Sequence, residues 1–555
     1  MANWILTKLL RNFLNLFRSL VPSEAERTFR TFNARFWSKY RCERANAKFV
    51  LVEQQANPII NHCNASFTTI VCHAKGLRPV YLLNFWRDQS VRRVLDSYAA
   101  APIYVYTNGL RYLWPRVVAL TQAWRVFSKL RNPADILEIS VDGIRFGDIV
   151  YDNVLVLGYA TITKLDIKVF AVLYALYLQR HIIRDVIARF HPATSVFSHT
   201  IGLVSGVHTR YLMRDGIEVL NRVGSNQIIL KKYRNLSEVG FYPLKPEPRY
   251  FRFMQECAAD TIVGLADAYL DERHNQRINH IAVELAFDRG KRLFQTRRDF
   301  CDHYRLNPEK QTVFVMLHGF NDHPHSHFAR RMLYQDYYDW FAKTLAVAQS
   351  NREVNWIFKE HPASQFYITK DVDLEKLFAG STHAHIRFMG SHADFNALSI
   401  RFVADTIVTC LGTAGMEYAC LGIPCLLAGE SPYSGFGFTL EPESIADYEG
   451  WLRRIDHIPK LSEEQIKSAK IAMFFELEMM QDSPYLFCPE YGAKEAMELK
   501  PGSLWRDVIE LIQRQNPAAI EAQIKELTEF VLDVHYTQYL NLNRFPFMKS
   551  ALRRD

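Results

Sequence analysis

An α/β protein of two doubly wound domains is predicted by three observations. Short apolar strands alternate with helical stretches from Ala47 onward. The alternation gives way to a polar helical stretch and begins again at QTVFVMLHGF. With 555 residues, 48% of them hydrophobic, the chain is long enough for two substantial cores. Strands separated by helices pair in parallel, because only antiparallel neighbours can be joined by a tight hairpin.

In order, residues 1–44 carry an amphipathic N-terminal segment. Trp4, Ile5, Leu9, Leu10, Phe13, Leu14, Phe17 and Leu20 fall at helical spacing, with Lys8, Arg11 and Arg18 between them. No apolar run reaches the roughly 20 residues that span a bilayer, and no small-residue cleavage site follows. The pattern suits a helix lying on an anionic membrane surface, and it equally suits a helix docked on the protein's own body. Residues 45–244 form the first domain: KFVLVE, RPVYLL and APIYVY as strands, with helices from about Ile59 to Lys75 and after Asp88. A long helix from about Leu110 to Leu130 follows, then a hairpin turning at Asp142 and Gly143, a helical region from about Lys164 to Arg189, and a strand ending at Ser198. Residues 245–305 read as a helical connection, 306–480 as the second domain and 481–555 as charged terminal helices.

The second domain carries the most informative stretch, Arg401 to Glu443. A strand over Thr406 to Cys410 runs into a turn, Gly412-Thr413-Ala414-Gly415, then a short helix with Glu417, a turn at Gly422 and a strand over Pro424 to Leu427. Backbone N–H groups at such a helix start favour an anion, the glycines allow close approach, and the Thr413 hydroxyl can donate to a phosphate. Small residues that merely pack helix on strand give the same pattern. Upstream, the strand Trp356 to Phe358 ends in Lys359, Glu360, His361 and Pro362. In an open α/β sheet the carboxyl ends of the strands line the ligand crevice, which sets this cluster beside Gly412.

KEHP and GTAGMEYACLGIP, preceded by MLHGFNDHPH and YQDYYDWFAKTL, resemble the C-terminal half of GT-B glycosyltransferases of the capsule polysaccharide biosynthesis type, a group that includes enzymes using CMP-Kdo. The chain departs from that pattern at Glu360 and Gly412, which leaves the donor nucleotide open. The resemblance implies a GT-B fold, two Rossmann-like domains facing across a cleft with the last helices crossing back to the first. It also implies a nucleotide-sugar donor, with CMP-Kdo to be tried first, and a polysaccharide or glycolipid acceptor. The expected place is the cytoplasm, peripheral on the inner face of the membrane. An isomerase like the UDP-sugar 2-epimerases and a non-catalytic membrane-recruited assembly factor are the alternatives.

Donor binding is expected from His318, Asp322, Lys359, His361, Gly412, Thr413 and Ala414. Glu417 is either a ribose ligand or a helix N-terminal charge. The group that takes the acceptor proton or attacks the anomeric carbon is sought among Glu53, Asp148, Asp152 and His199, which the sequence does not rank. No cofactor is expected. A metal at His318, His323, His325 and His327 is not expected either, since zinc-ligand spacing and paired carboxylates are missing. Net charge of +8 is spread along the chain, so no nucleic-acid surface is implied. Nine cysteines without a C-x-x-C pair suggest a reducing compartment.

Overall fold

The computed structural model describes residues 21–552 except 42–47, 54–56, 86–87, 99–100, 225–226, 239–243, 279–280, 327–330, 363, 365–367, 381, 482 and 492–498. The N-terminal helix expected over residues 4–20, and His327, lie outside the described residues. The chain divides into two compact units. One is Met1–Lys129, Leu173–Val239 and Gln481–Asn541; the other is Leu130–Val172, Gly240–Met480 and Leu542–Asp555.

Strands β1 (Lys48–Val52), β2 (Leu77–Leu83) and β3 (Ile103–Tyr106) precede a short hairpin of β4 (Ser140–Val141) and β5 (Ile144–Arg145). Strands β6 (Thr194–Phe197), β7 (Glu218–Val223) and β8 (Ile229–Tyr233) then complete the first unit's sheet, in the order β3-β2-β1-β6-β7-β8. Every neighbour is parallel except β7 and β8. Counting only this sheet's strands, the order is that of a Rossmann fold, with its switch point between β1 and β6. The helix Pro58–Lys75 shows why sequence makes these boundaries. Asn57 accepts the Ile59 N–H at 2.8 Å, Pro58 occupies the first turn, and Gly76 ends the helix at φ 64°.

The terminal helices return to this unit, as the resemblance implied. Helix Pro517–Leu532 packs on Pro58–Lys75, and the Lys232 N–H donates to Thr537 O at 2.9 Å.

In the second unit β9 (Thr312–Met316), β10 (Asn355–Lys359), β11 (Ile386–Met389), β12 (Thr406–Thr409) and β13 (Cys425–Leu427) form a wholly parallel sheet, in the order β11-β10-β9-β12-β13. It is a second Rossmann-like sheet, with its switch point between β9 and β12. Trp340 and Trp356 are fully buried in its core, their indole N–H groups satisfied by Tyr448 Oη at 2.8 Å and Asn351 O at 3.0 Å.

Two stretches sit elsewhere than the sequence suggested. Residues 130–172, expected within the first domain, belong to the second unit. The reason is polar contact over long sequence distance: Tyr151 Oη donates to Asp336 at 2.7 Å, and the Ala160 N–H to Asp371 at 3.0 Å. The helices expected as a connection over 245–305 also belong to the second unit, where Ala259–His274 packs on Glu463–Phe474.

Candidate functional site

The carboxyl ends of β9, β10 and β12 converge in the second unit, and His318, Asp322, Lys359, His361, Gly412, Thr413, Ala414 and Glu417 all line one cavity there of about 240 Å³. It opens at the switch point, where chains leaving β9 and β12 run to opposite sides. An adjoining hollow of about 280 Å³ shares His318, Gly319 and Glu360 with it, and adds Glu375, Ser391 and Phe388.

A latch joins β9 to β12. The Thr409 hydroxyl donates to Met316 O at 3.2 Å and accepts the Gly412 N–H at 3.2 Å. His318 Nε2 accepts the Leu411 N–H at 3.1 Å, which places the ring proton on Nδ1. Burial, helped by the neighbouring His361, pushes the His318 imidazole down to about 3, and the ring stacks on Tyr337 at 4.3 Å. His318 is thus a neutral clamp on the turn rather than a cationic donor.

Lys359, the last residue of β10, is 7% exposed. Burial pushes its ammonium down to about 8, with Lys291 adding to the fall and Glu360 opposing it. Its only described hydrogen-bond acceptor is Glu360 O, at 3.5 Å. Glu360 turns its carboxylate to the Ser391 N–H at 2.8 Å, fixing the exit of β11.

The glycine turn departs from expectation in mechanism. Neither Gly412 nor Gly415 has a positive φ. Space at Gly412 is tight, since a Cβ there would stand 3.0 Å from Thr409 Oγ1. Gly415 was read as letting a ligand approach, but its missing side chain is filled from within: a Cβ would run into the Tyr433 hydroxyl and stand 2.7 Å from Cys425 Sγ. Gly415→Ala is therefore expected to lower stability by about 1–3 kcal/mol, read as a fall in the urea midpoint. An unchanged midpoint would remove this packing account. The N–H groups of Thr413 and Ala414 have no acceptor among the described residues and border the cavity.

Glu417 forms a buried two-pronged pair with Arg273, at 2.7 Å to Nη2 and 3.2 Å to Nε. Burial alone would raise its carboxyl, and the guanidinium outweighs that and holds it below the ordinary range. Glu476 lies in the same cavity on the π-helical turn Phe475–Met479. Burial and the Glu417 charge push it up to about 8, so at neutral pH it is protonated and able to donate. Arg273 and Glu476 were missed in the sequence. Glu476 left one signal, an acid set among Phe474, Phe475, Leu477 and Met479; Arg273 left none, being one cation in a polar helix.

The four catalytic candidates are divided between the two units, Glu53 and His199 in the first, Asp148 and Asp152 in the second. Glu53 is 1% exposed at the end of β1, where it accepts the Ser198 N–H at 3.1 Å and the Ser198 and Ser205 hydroxyls. His199 follows β6 and is exposed. Asp148 and Asp152 fall in the second unit, on helix Gly147–Leu155. Asp152 is fully buried and holds the 325–326 backbone, taking the Ser326 N–H at 2.7 Å and hydroxyl at 2.6 Å. Burial keeps its carboxyl well above the ordinary range despite those bonds. Among the described residues no group of three or more His, Cys, Asp or Glu gathers as metal ligands would.

No protein family and no curated protein matches the sequence. Solved structures do. The Thermosulfurimonas dismutans KpsC beta Kdo 2,4 transferase is 14% identical with a TM-score of 0.31, over 51% of this chain and 79% of that one. A glycosyltransferase from Rickettsia africae ESF-5 is 8% identical with a TM-score of 0.24, over 88% and 99%. A UDP-GlcNAc 2-epimerase from Neisseria meningitidis bound to UDP-GlcNAc is 10% identical with a TM-score of 0.22, over 84% and 100%. These TM-scores are low, and the assignment of two Rossmann-like units rests on the two strand orders.

Proposed function

We propose that the chain is a glycosyltransferase that takes its sugar from a nucleotide sugar and passes it to a polysaccharide or glycolipid hydroxyl. CMP-Kdo is the donor to test first, on the strength of the KEHP and GTAGMEYACLGIP motifs. The observation that carries the reading is the buried Lys359 ammonium beside the unclaimed N–H groups of Thr413 and Ala414, all lining one cavity at a switch point. Such donors gain strength where water is excluded. They suit a phosphate whose charge grows as the bond from the anomeric carbon to the phosphate oxygen breaks. The acceptor oxygen then bonds to the anomeric carbon and gives up its proton. Of the four candidates for that proton, Glu53 and Asp152 are buried and already occupied as acceptors, which leaves Asp148 and His199.

Glu476 favours a second reading. A protonated carboxyl in the cavity is a general acid, which an isomerase of nucleotide sugars needs as well. Incubation of the protein with nucleotide sugars and no acceptor separates the two, since only an isomerase changes the sugar.

Thermal-shift measurements with CMP, CDP, UDP and GDP give the first test, because a nucleotide that binds only the folded state raises its melting temperature. No shift with any of them would end the proposal. Thr413 is exposed on the cavity, and Thr413→Val removes only its hydroxyl. It is expected to weaken the preferred nucleotide sugar about ten- to hundredfold, a loss on the order of 1.5–3 kcal/mol for one bond to a charged group. Calorimetric titration reads this directly. Unchanged affinity would place the phosphate away from the turn.

A further inference from the structure

Helix Leu113–Phe127 in the first unit has two very different sides. Inward, Ala119 and Ala123 are fully buried one turn apart, and the helix is tied to Ile167–Phe190 by polar contacts. There Gln122 Oε1 meets His181 Nε2 at 2.9 Å, and Tyr112 Oη, just before the helix, donates to Asp185 at 3.0 Å. Pro115 sits in the first turn, where its missing N–H costs nothing. Outward, Leu113 is 56% exposed, Trp114 73%, Val117 51%, Leu120 48% and Trp124 60%. At about 100° per residue, Leu113, Val117, Leu120 and Trp124 share an arc of about 60°, and Trp114 borders it. Leu110, 84% exposed, extends the stripe before the helix begins.

Single exposed apolar residues are ordinary, but a continuous stripe with two tryptophans marks an interaction surface. Charge says what covers it. Arg125 flanks the stripe on one side with Lys129 beyond its end, both exposed, while Arg116 on the other side is half-buried with its Nε out of solvent. Among Arg111, Arg116, Arg125 and Lys129 only Arg111 forms an ion pair, with Asp185, among the described residues. Long basic side chains beside an apolar stripe can keep their charges at headgroup level while the stripe enters the acyl boundary. Tryptophan belongs at that boundary, where its ring is apolar and its N–H stays wet. A helix of 15 residues is about 22 Å long, too short to cross the roughly 30 Å of hydrocarbon. Among the described residues no helix is long and apolar enough to cross a membrane.

We propose that the outward face of Leu113–Phe127, with the exposed Arg125 and Lys129 beside it, is a docking surface for an anionic lipid bilayer on which the helix lies flat. The surface is independent of which reaction the second unit performs. Its test uses the full chain and vesicles of phosphatidylcholine with phosphatidylglycerol, against vesicles of phosphatidylcholine alone. The parent protein is expected to sediment with the anionic vesicles and to be released as salt rises, since the headgroup attraction is screened. Trp114→Glu with Trp124→Glu is expected to reduce binding about tenfold or more, at an unchanged melting temperature because both side chains are exposed. Arg125→Glu with Lys129→Glu should reduce anionic binding and its salt dependence without touching the apolar stripe. Brominated acyl chains should quench the parent's tryptophan fluorescence, and the Trp114/Trp124 variant should lose most of that quenching. Equal sedimentation of parent and both variants would overturn the proposal. A parent that ignores vesicles but forms a dimer abolished by the tryptophan substitutions would overturn it too, with a second copy as the occupant.

Discussion

Lys359→Met is expected to weaken nucleotide-sugar binding and to cut turnover about a hundred- to thousandfold while making the protein more stable. Both halves come from one fact, that the ammonium is buried without a carboxylate bonded to it. Its pKa near 8 against the ordinary 10.5 is a shift of about 2.5, or about 3 kcal/mol of instability borne by the charged form. The unfolded chain holds this proton more tightly than the folded one. The destabilisation is therefore complete below pH about 8, and it fades as pH rises towards 10.5. A melting-temperature gain for Lys359→Met at pH 7 should accordingly shrink between pH 8 and 10. Loss of one preorganised donor at a developing charge costs about a hundred- to thousandfold in rate. An anion that binds beside Lys359 must also draw a proton onto it. Binding measured at pH 8 in buffers of different ionisation heat should show that uptake. Destabilisation by Lys359→Met, or wild-type turnover, would remove Lys359 from the donor site.

The sheets were legible because their signals are local. KFVLV, TVFVM and NWIFK are apolar on both faces, as strands covered by helices on each side must be, and Gly76 ends its helix where the periodicity stops. The cavity-lining residues were legible for the same reason, since a strand end is a position in sequence and the switch point follows from strand order. What the sequence could not reveal was which charges face each other. Arg273 and Glu417 are 144 residues apart, and Tyr151 and Asp336 are 185 apart; no periodicity encodes either pair. Residues 130–172 were misplaced because their helix-and-hairpin pattern fits either unit, and only such distant contacts decide. The burial of Lys359 left no local signal either, since a lysine at a strand exit reads as solvated and this one is 7% exposed.

Arg273→Met is expected to be among the most destabilising substitutions in the second unit, and Arg273→Met with Glu417→Met to be far milder. The single change leaves Glu417 as a buried carboxylate beside Glu476, with its two hydrogen bonds gone. Breaking a buried pair from one side costs about 3–5 kcal/mol, whereas replacing both partners by apolar groups of similar volume is often neutral. pH gives an independent check. In the parent the guanidinium holds Glu417 below 4.5, so the pair's contribution is present above that pH and is lost as pH falls through the depressed value. Without Arg273, the Thr413 hydroxyl and His274 still favour the charged form, but burial, the largest influence, is expected to raise the Glu417 carboxyl above its unfolded value. The variant's deficit should then narrow from pH 7.5 to pH 5, as Glu417 takes up a proton. Melting curves of the three proteins at the two pH values measure this. Additive losses would mean that the residues do not act as a pair. The double variant also decides what Glu417 is for. If it contacts a ribose hydroxyl, nucleotide affinity falls although the fold is kept; if it serves only to hold Arg273 and the turn, affinity stays with the parent's.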